Sequence, residues 1–254
     1  MARPHTFGEL FVGIGGMSLG LCRAGWEPRW FVEIDPFCQR VLRKHWPGVN
    51  VLGDVRLIEP ERQLERVNLI AGGFPCQPHS VAGERRGSND DRDLWPEFTR
   101  IVRCLRPEWV LAENVGGVLS TESGRFFGRI LSDLAEAGYD AEWDCLQAAW
   151  FGAPHRRERV FILAHSRSQR LSRPVFEGAS VCLAEGKAPT KFGNRVIHCG
   201  IRWLDDTGNI LLGDGVSSEL ARSAIETYGN AVIPDEAEWL GRRIMEAMED
   251  GGRG

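Results

Sequence analysis

The feature that most narrows what this chain can fold into is the alternation of two apolar patterns along its first 165 residues. Short runs rich in β-branched, aromatic and other apolar residues predict strands at 6–12, 29–34, 51–54, 67–71 and 109–112. Between them, apolar residues spaced three and four apart predict helices at 17–24, 36–45 and 94–105. Repeated strand–helix–strand order means parallel crossovers, so the fold class expected is α/β with a doubly wound sheet. A helix at 125–137 and strands at 141–149 and 159–164 complete it. The stripe of Phe126, Phe127, Ile130, Leu131 and Leu134 belongs to the core of that helix and not to a site.

Beyond His165 the periodicity stops. Over residues 166–202 there are seven Lys or Arg against two Glu, in a chain whose net charge is −4. The overall balance excludes a uniformly basic coat and leaves room for one basic groove. Helical patterns resume at 218–227 and 235–248. The expected division is a principal domain over 1–165, a small irregular basic module over 166–215, and returning helices over 216–254. Seven cysteines, odd in number and without a C-x-x-C pair, argue against a disulfide framework or a zinc site. With no apolar run of about 20 residues and no leader-like start, the expectation is a soluble, cytoplasmic protein with no metal.

Two strand ends carry candidate chemistry. The first runs into Phe11-Val12-Gly13-Ile14-Gly15-Gly16, glycines that let the backbone approach a ligand at a strand-to-helix turn. Glu33 lies 20 residues after Gly13, where a carboxylate accepts hydrogen bonds from ribose hydroxyls. Ser18 stands in place of the third glycine of a dinucleotide fingerprint, which disfavours a nicotinamide oxidoreductase. Asp54 is either an adenine ligand or a turn residue. The fourth strand leads into Gly72-Gly73-Phe74-Pro75-Cys76-Gln77-Pro78, and a thiol on such a rigid turn beyond a strand's carboxyl end is a candidate nucleophile. The fifth ends in Glu113-Asn114, a candidate general acid if burial raises its pKa. Arg157 and Arg159 alternate onto one face just before an apolar strand.

The order FVGIGG, Glu33, GGFPCQPHS, ENV, HRRERVFIL and YGNAVIP resembles the cytosine carbon-5 DNA methyltransferases over nearly all of the chain outside the basic module. The resemblance implies a Rossmann-like sheet binding S-adenosyl-L-methionine and facing a small target-recognition module. It assigns Cys76 to attack carbon 6 of a flipped cytosine, Glu113 to ring nitrogen 3 and Arg157 to the exocyclic oxygen, with Asn114 and Arg159 in support. It gives Phe11, Gly13, Ile14, Gly15, Gly16, Glu33, Asp54, Pro75 and Asn230 to the cofactor pocket. His79 and His155 depart from the family pattern, as does Glu9 at a position that is often Asp. The implied partner is double-stranded DNA, with a monomer favoured and a restriction endonuclease partner left open. A tRNA cytosine-5 methyltransferase and a catalytically inactive nucleic-acid binder are the alternatives.

Overall fold

In the computed structural model, residues 4–75, 93–153, 155–168, 174–176 and 232–251 are described. Cys76, His79, Asn230, the expected helix at 218–227 and nearly all of the basic module lie outside them. A seven-stranded sheet organises the rest, in the order β3-β2-β1-β4-β5-β7-β6. The strands are β1 (Thr6–Leu10), β2 (Glu27–Val32), β3 (Asn50–Leu52), β4 (Leu69–Gly73), β5 (Trp109–Val115), β6 (Tyr139–Gln147) and β7 (Glu158–Ser166). The first five pair in parallel, while β7 enters between β5 and β6 antiparallel to both. The helices are α1 (Gly16–Ala24), α2 (Pro36–His45), the short α3 (Pro60–Gln63), α4 (Trp95–Leu105), α5 (Arg125–Glu136) and α6 (Pro234–Gly251).

Because side chains alternate across a strand, a sheet buried on both sides needs apolar residues at consecutive positions. Strand β7 meets that need: Val160, Ile162 and Ala164 enter one core, and Phe161 and Leu163 the other. On the first face Trp95, Phe98 and Ile101 of α4 pack with Ile130 and Leu134 of α5. On the second, Met17 and Leu21 of α1 pack with Leu240 and Ile244 of α6. Helices α1 and α6 approach closely because small residues face each other: a Cβ on Gly20 would sit 2.6 Å from the Cβ of Ala237. The Trp26 indole N–H donates to the Gly241 carbonyl at 3.0 Å, fixing the start of β2 to the last helix.

Among the described residues the predicted elements are present with shifted edges. Strand β1 stops at Leu10 and not at residue 12, because Phe11 takes a left-handed φ of 56° that ends the ladder. Helix α3 was not expected, and its single turn is too short for apolar periodicity to reveal. Among the described residues no helix is long and apolar enough to cross a membrane.

Candidate active site

The carboxyl ends of β1, β2, β4 and β5 all open onto one side of the sheet. A cleft of about 680 Å³ lies there, and its walls include Phe11, Gly13, Glu33, Asp54, Pro75, Glu113, Asn114 and Arg159. Parallel topology is the cause: where crossovers leave in opposite directions from adjacent strands, a crevice remains between them. β1 and β4 are neighbours from which the chain departs toward opposite sheet edges.

At the glycine turn, Glu33 is almost fully buried and its two oxygens have distinct partners. Oε2 accepts from the Gly13 amide at 2.7 Å, and Oε1 from the Asp35 amide at 2.8 Å. The carboxylate therefore shapes the loop in addition to lining the cleft. The glycines divide in role. Gly13 has φ +60° with open space at its Cβ position. A Cβ on Gly16 would stand 2.1 Å from the Val232 carbonyl oxygen, and one on Gly15 2.7 Å from the Trp46 ring. Neither Gly15, Gly16 nor Ile14 is among the cleft-lining residues; the first two are required by packing of the turn against α2 and the segment before α6.

Asp54 accepts from the Arg56 amide and forms an ion pair with the Arg56 guanidinium at 2.6 Å. That pairing, first the side-chain hydrogen bond and then the backbone one, holds its carboxyl below the usual range. Glu9 is buried on the cleft wall and accepts a hydrogen bond from the Ser18 hydroxyl. Burial, partly offset by Ser18 and reinforced by the charge of Glu33, pushes its pKa up to about 8. Sequence reasoning passed over Ile34 and Val232. Ile34 lines the cleft with 62% of its surface exposed, an apolar side chain held open beside the Glu33 wall.

The other half of the cleft is built by register. Gly73 pairs with Glu113 across β4 and β5, and a Cβ on Gly73 would lie 2.7 Å from Glu113 Oε2, so only glycine leaves room for that carboxylate. Asn114 donates from Nδ2 to the Phe74 carbonyl at 3.0 Å, tying the end of β5 to the turn that carries Pro75. Across the antiparallel pair, Arg159 lies opposite Val115 and its Nε stands 2.8 Å from Glu113 Oε1. It is a close and largely buried ion pair. Burial raises the Glu113 pKa to about 7, against the opposing charges of Arg159 and Arg157 and a hydrogen bond from the Arg159 side chain. A carboxyl in that condition is able to hold a proton near neutrality.

Arg157 precedes β7 and is absent from the cleft-lining residues. It is half-buried, and burial together with Arg159 disfavours its cation, while Glu236 and Glu113 favour it. The arginine brought onto Glu113 is thus Arg159, for which the resemblance implied only a supporting place.

The sequence model of the C-5 cytosine-specific DNA methylase family matches residues 5–192. The chain belongs to this family. It is 39% identical over 157 residues to the Type II methyltransferase M.NgoMIV of Neisseria gonorrhoeae, covering 61% of this chain and 50% of that protein. It is 40% identical over 163 residues to the Type II methyltransferase M.Eco47II of Escherichia coli, covering 63% and 39%. The chain thus spans half or less of the length of these curated relatives. Among solved structures, one described as a DNA modification methyltransferase encoded within an E. coli prophage superimposes with a TM-score of 0.59 at 29% identity, covering 67% of this chain and 49% of that one. The Spodoptera frugiperda DNMT2 structure, at 24% identity and a TM-score of 0.55 over 67% of this chain and 53% of that one, shares the fold.

Proposed function

We propose that this member of the family is a DNA (cytosine-5-)-methyltransferase that uses S-adenosyl-L-methionine and a covalent cysteine adduct. The observation that carries the reading is the buried Glu113 carboxyl on the cleft wall, paired with Arg159 at 2.8 Å and yet raised to about 7. It stands beside the strand end from which the Pro75-Cys76 turn leaves.

The residues present fit the cofactor. The cleft is roomy enough for a nucleoside with an amino-acid tail. Glu33, at its wall, suits ribose hydroxyls, Asp54 an exocyclic amino group, and Phe11 and Ile34 the faces of a flat ring, with Pro75 and Gly13 beside them; Asn230, outside the described residues, is assigned to the pocket by its motif alone. Ile14, Gly15 and Gly16 act in this reading by setting the turn. When bound, the cofactor supplies an electrophilic methyl group.

The thiolate of Cys76 adds to carbon 6 of the cytosine, forming an S–C6 bond and moving electron density onto carbon 5. Glu113, protonated, donates to ring nitrogen 3 and offsets the negative charge that develops in the ring. In this reading Arg159, the arginine paired with Glu113, donates to the exocyclic oxygen and Arg157 supports it, the reverse of the roles that the motif alone implied. Asn114 holds the Cys76 turn through Phe74. After carbon 5 has taken the methyl group, water accepts the carbon-5 proton, the electron pair of that C–H bond re-forms the C5–C6 double bond, and the S–C6 bond breaks to release the thiolate. Carbon 6 is out of reach inside a duplex, so the base must be flipped.

The basic segment over 166–215 is the proposed target-recognition module, and 216–254 the return to the catalytic domain. Double-stranded DNA is the proposed substrate of a cytoplasmic monomer. The Type II names of the relatives support a place in a restriction–modification system with an endonuclease partner. The test is incubation with labelled methyl donor and either unmethylated duplex DNA or tRNA, with trapping on a 5-fluorocytosine oligonucleotide. Label in DNA cytosine and a covalent adduct that Cys76→Ala abolishes are expected. Label confined to tRNA would move the substrate, and salt-sensitive binding with neither label nor adduct would leave a binding protein.

A further inference from the structure

The stretch of chain that carries Cys76 begins and ends at one place in the fold. It leaves β4 through Phe74 and Pro75 and enters α4 through Asp93 and Leu94. Phe74 and Trp95 are both buried, with ring centroids 4.9 Å apart, and Phe98 of the next helical turn stacks on Trp95 at 5.3 Å. Residues 75–94 therefore depart from and return to a single aromatic base. A reactive group on a connecting segment is placed by the rigid scaffold beneath it, so what fixes this base bears on where the thiol stands.

Polar contacts tie down both sides of the base. On the near side, Asn114 Nδ2 donates to the Phe74 carbonyl at 3.0 Å. On the far side, α5 supplies two partners. Asp133 Oδ2 accepts from the Trp95 indole N–H at 2.8 Å. Arg129 Nη2 donates to Asp93 Oδ2 in an ion pair, while Asp93 Oδ1 accepts from the Trp95 amide at 3.1 Å. The Asp93 side chain is only 12% exposed, and the Arg129 guanidinium lies over the Phe126 ring at 4.8 Å from its centroid. A charge-assisted bond held this way, covered on one partner and stacked on the other, resists the solvent screening that weakens exposed pairs. Arg129 and Asp133 stand four residues apart, so one face of α5 carries the whole far side.

We propose that Arg129 is a positioning residue for the Cys76 nucleophile: through Asp93 it fixes the far end of the stretch whose near end Asn114 fixes through Phe74. The helix α5, which contributes nothing to the cleft wall, then acts on the chemistry by mounting the segment that bears the thiol. This inference rests on the methyltransferase reading for its consequence, but not for the Arg129–Asp93 anchor itself.

The experiment is a double-mutant cycle with Arg129→Gln and Asp93→Asn in the full chain, read in two ways. Asn keeps an acceptor for the Trp95 amide and loses the charge that Arg129 meets. Urea unfolding measures the pair without any activity, and the two changes should be non-additive, the second costing less once the first is made. Methyl transfer to unmethylated duplex DNA measures the consequence. Each single change should lower kcat by roughly 10–100-fold, the scale of a slightly misplaced reacting group, and the double variant should be no slower than the slower single one. The stoichiometry and affinity of S-adenosyl-L-methionine binding, by equilibrium dialysis, should stay unchanged, which a general loss of folded protein would not allow. Arg129→Lys, which keeps the charge, should recover part of the rate. Additive unfolding effects, or an unchanged kcat in Arg129→Gln, would overturn the proposal; should that variant not fold, Asp93→Asn decides the same point. If the unsubstituted protein methylates no acceptor, the functional reading fails, and the unfolding cycle still decides whether Arg129 and Asp93 act together.

Discussion

Replacing Glu113 by Gln should make the protein more stable at pH 8 while destroying its activity. Burial lifts the Glu113 pKa from an ordinary 4.5 to about 7 in spite of Arg159 at 2.8 Å. A displacement of that size corresponds to about 3 kcal/mol of preference for the neutral form. The sign follows from linkage. The folded state keeps the proton over a range where the unfolded chain has lost it, so stability is fully present below pH 4.5 and falls as pH rises toward 7. Gln resembles the protonated carboxyl in shape and cannot ionise. Its stability relative to the unsubstituted protein should therefore stay near zero at pH 4.5 and rise by about 3 kcal/mol by pH 8. For a chain of this length that is a relative gain of roughly 6–12 °C in melting temperature. Thermal and urea melts at half-unit steps between pH 4.5 and 8.5 would measure it. Parallel curves for the two proteins would refute the reasoning, because they would mean that the Arg159 ion pair, and not burial, governs this carboxyl.

Three further outcomes are expected. Gly16→Ala drives a Cβ to 2.1 Å from the Val232 carbonyl; overpacking of this kind costs about 1–3 kcal/mol, and calorimetry together with a weakened affinity for S-adenosyl-L-methionine checks it. Gly73→Ala displaces the Glu113 carboxylate and should reduce kcat more than it changes the cofactor Kd; equal losses in both would place the damage in the cofactor half. Cys76→Ala should eliminate turnover and the 5-fluorocytosine adduct with a melting temperature close to that of the unsubstituted protein, and residual adduct would show a different nucleophile.

Much of this was legible in the amino-acid sequence, for physical reasons that can be named. Consecutive buried residues such as Phe161 and Ile162 announce a strand covered on both sides, and α5 declares itself by Ile130 and Leu134 on one stripe. What stayed hidden depends on register and direction. Nothing in HRRERVFIL states that β7 runs antiparallel between β5 and β6, and only that pairing brings Arg159, and not Arg157, against Glu113. The glycines were visible, but not that Gly16 answers to Val232, more than 200 residues away. Glu236 looked like an ordinary acidic residue in the first turn of a helix, where such residues are favoured; its burial is a tertiary fact.

The bond between Trp26 and Gly241 has a bearing on how the polypeptide matures. Helix α1 is synthesised with Met17 and Leu21 uncovered, and Leu240 and Ile244 of α6, which pack over them, follow more than 200 residues later. At about 5–20 residues per second, a nascent chain waits on the order of ten seconds or more with that oily stripe bare. Its yield in a cell should depend on holdase chaperones attending the ribosome, and slowing elongation across residues 25–230 should send more of it into inclusion bodies.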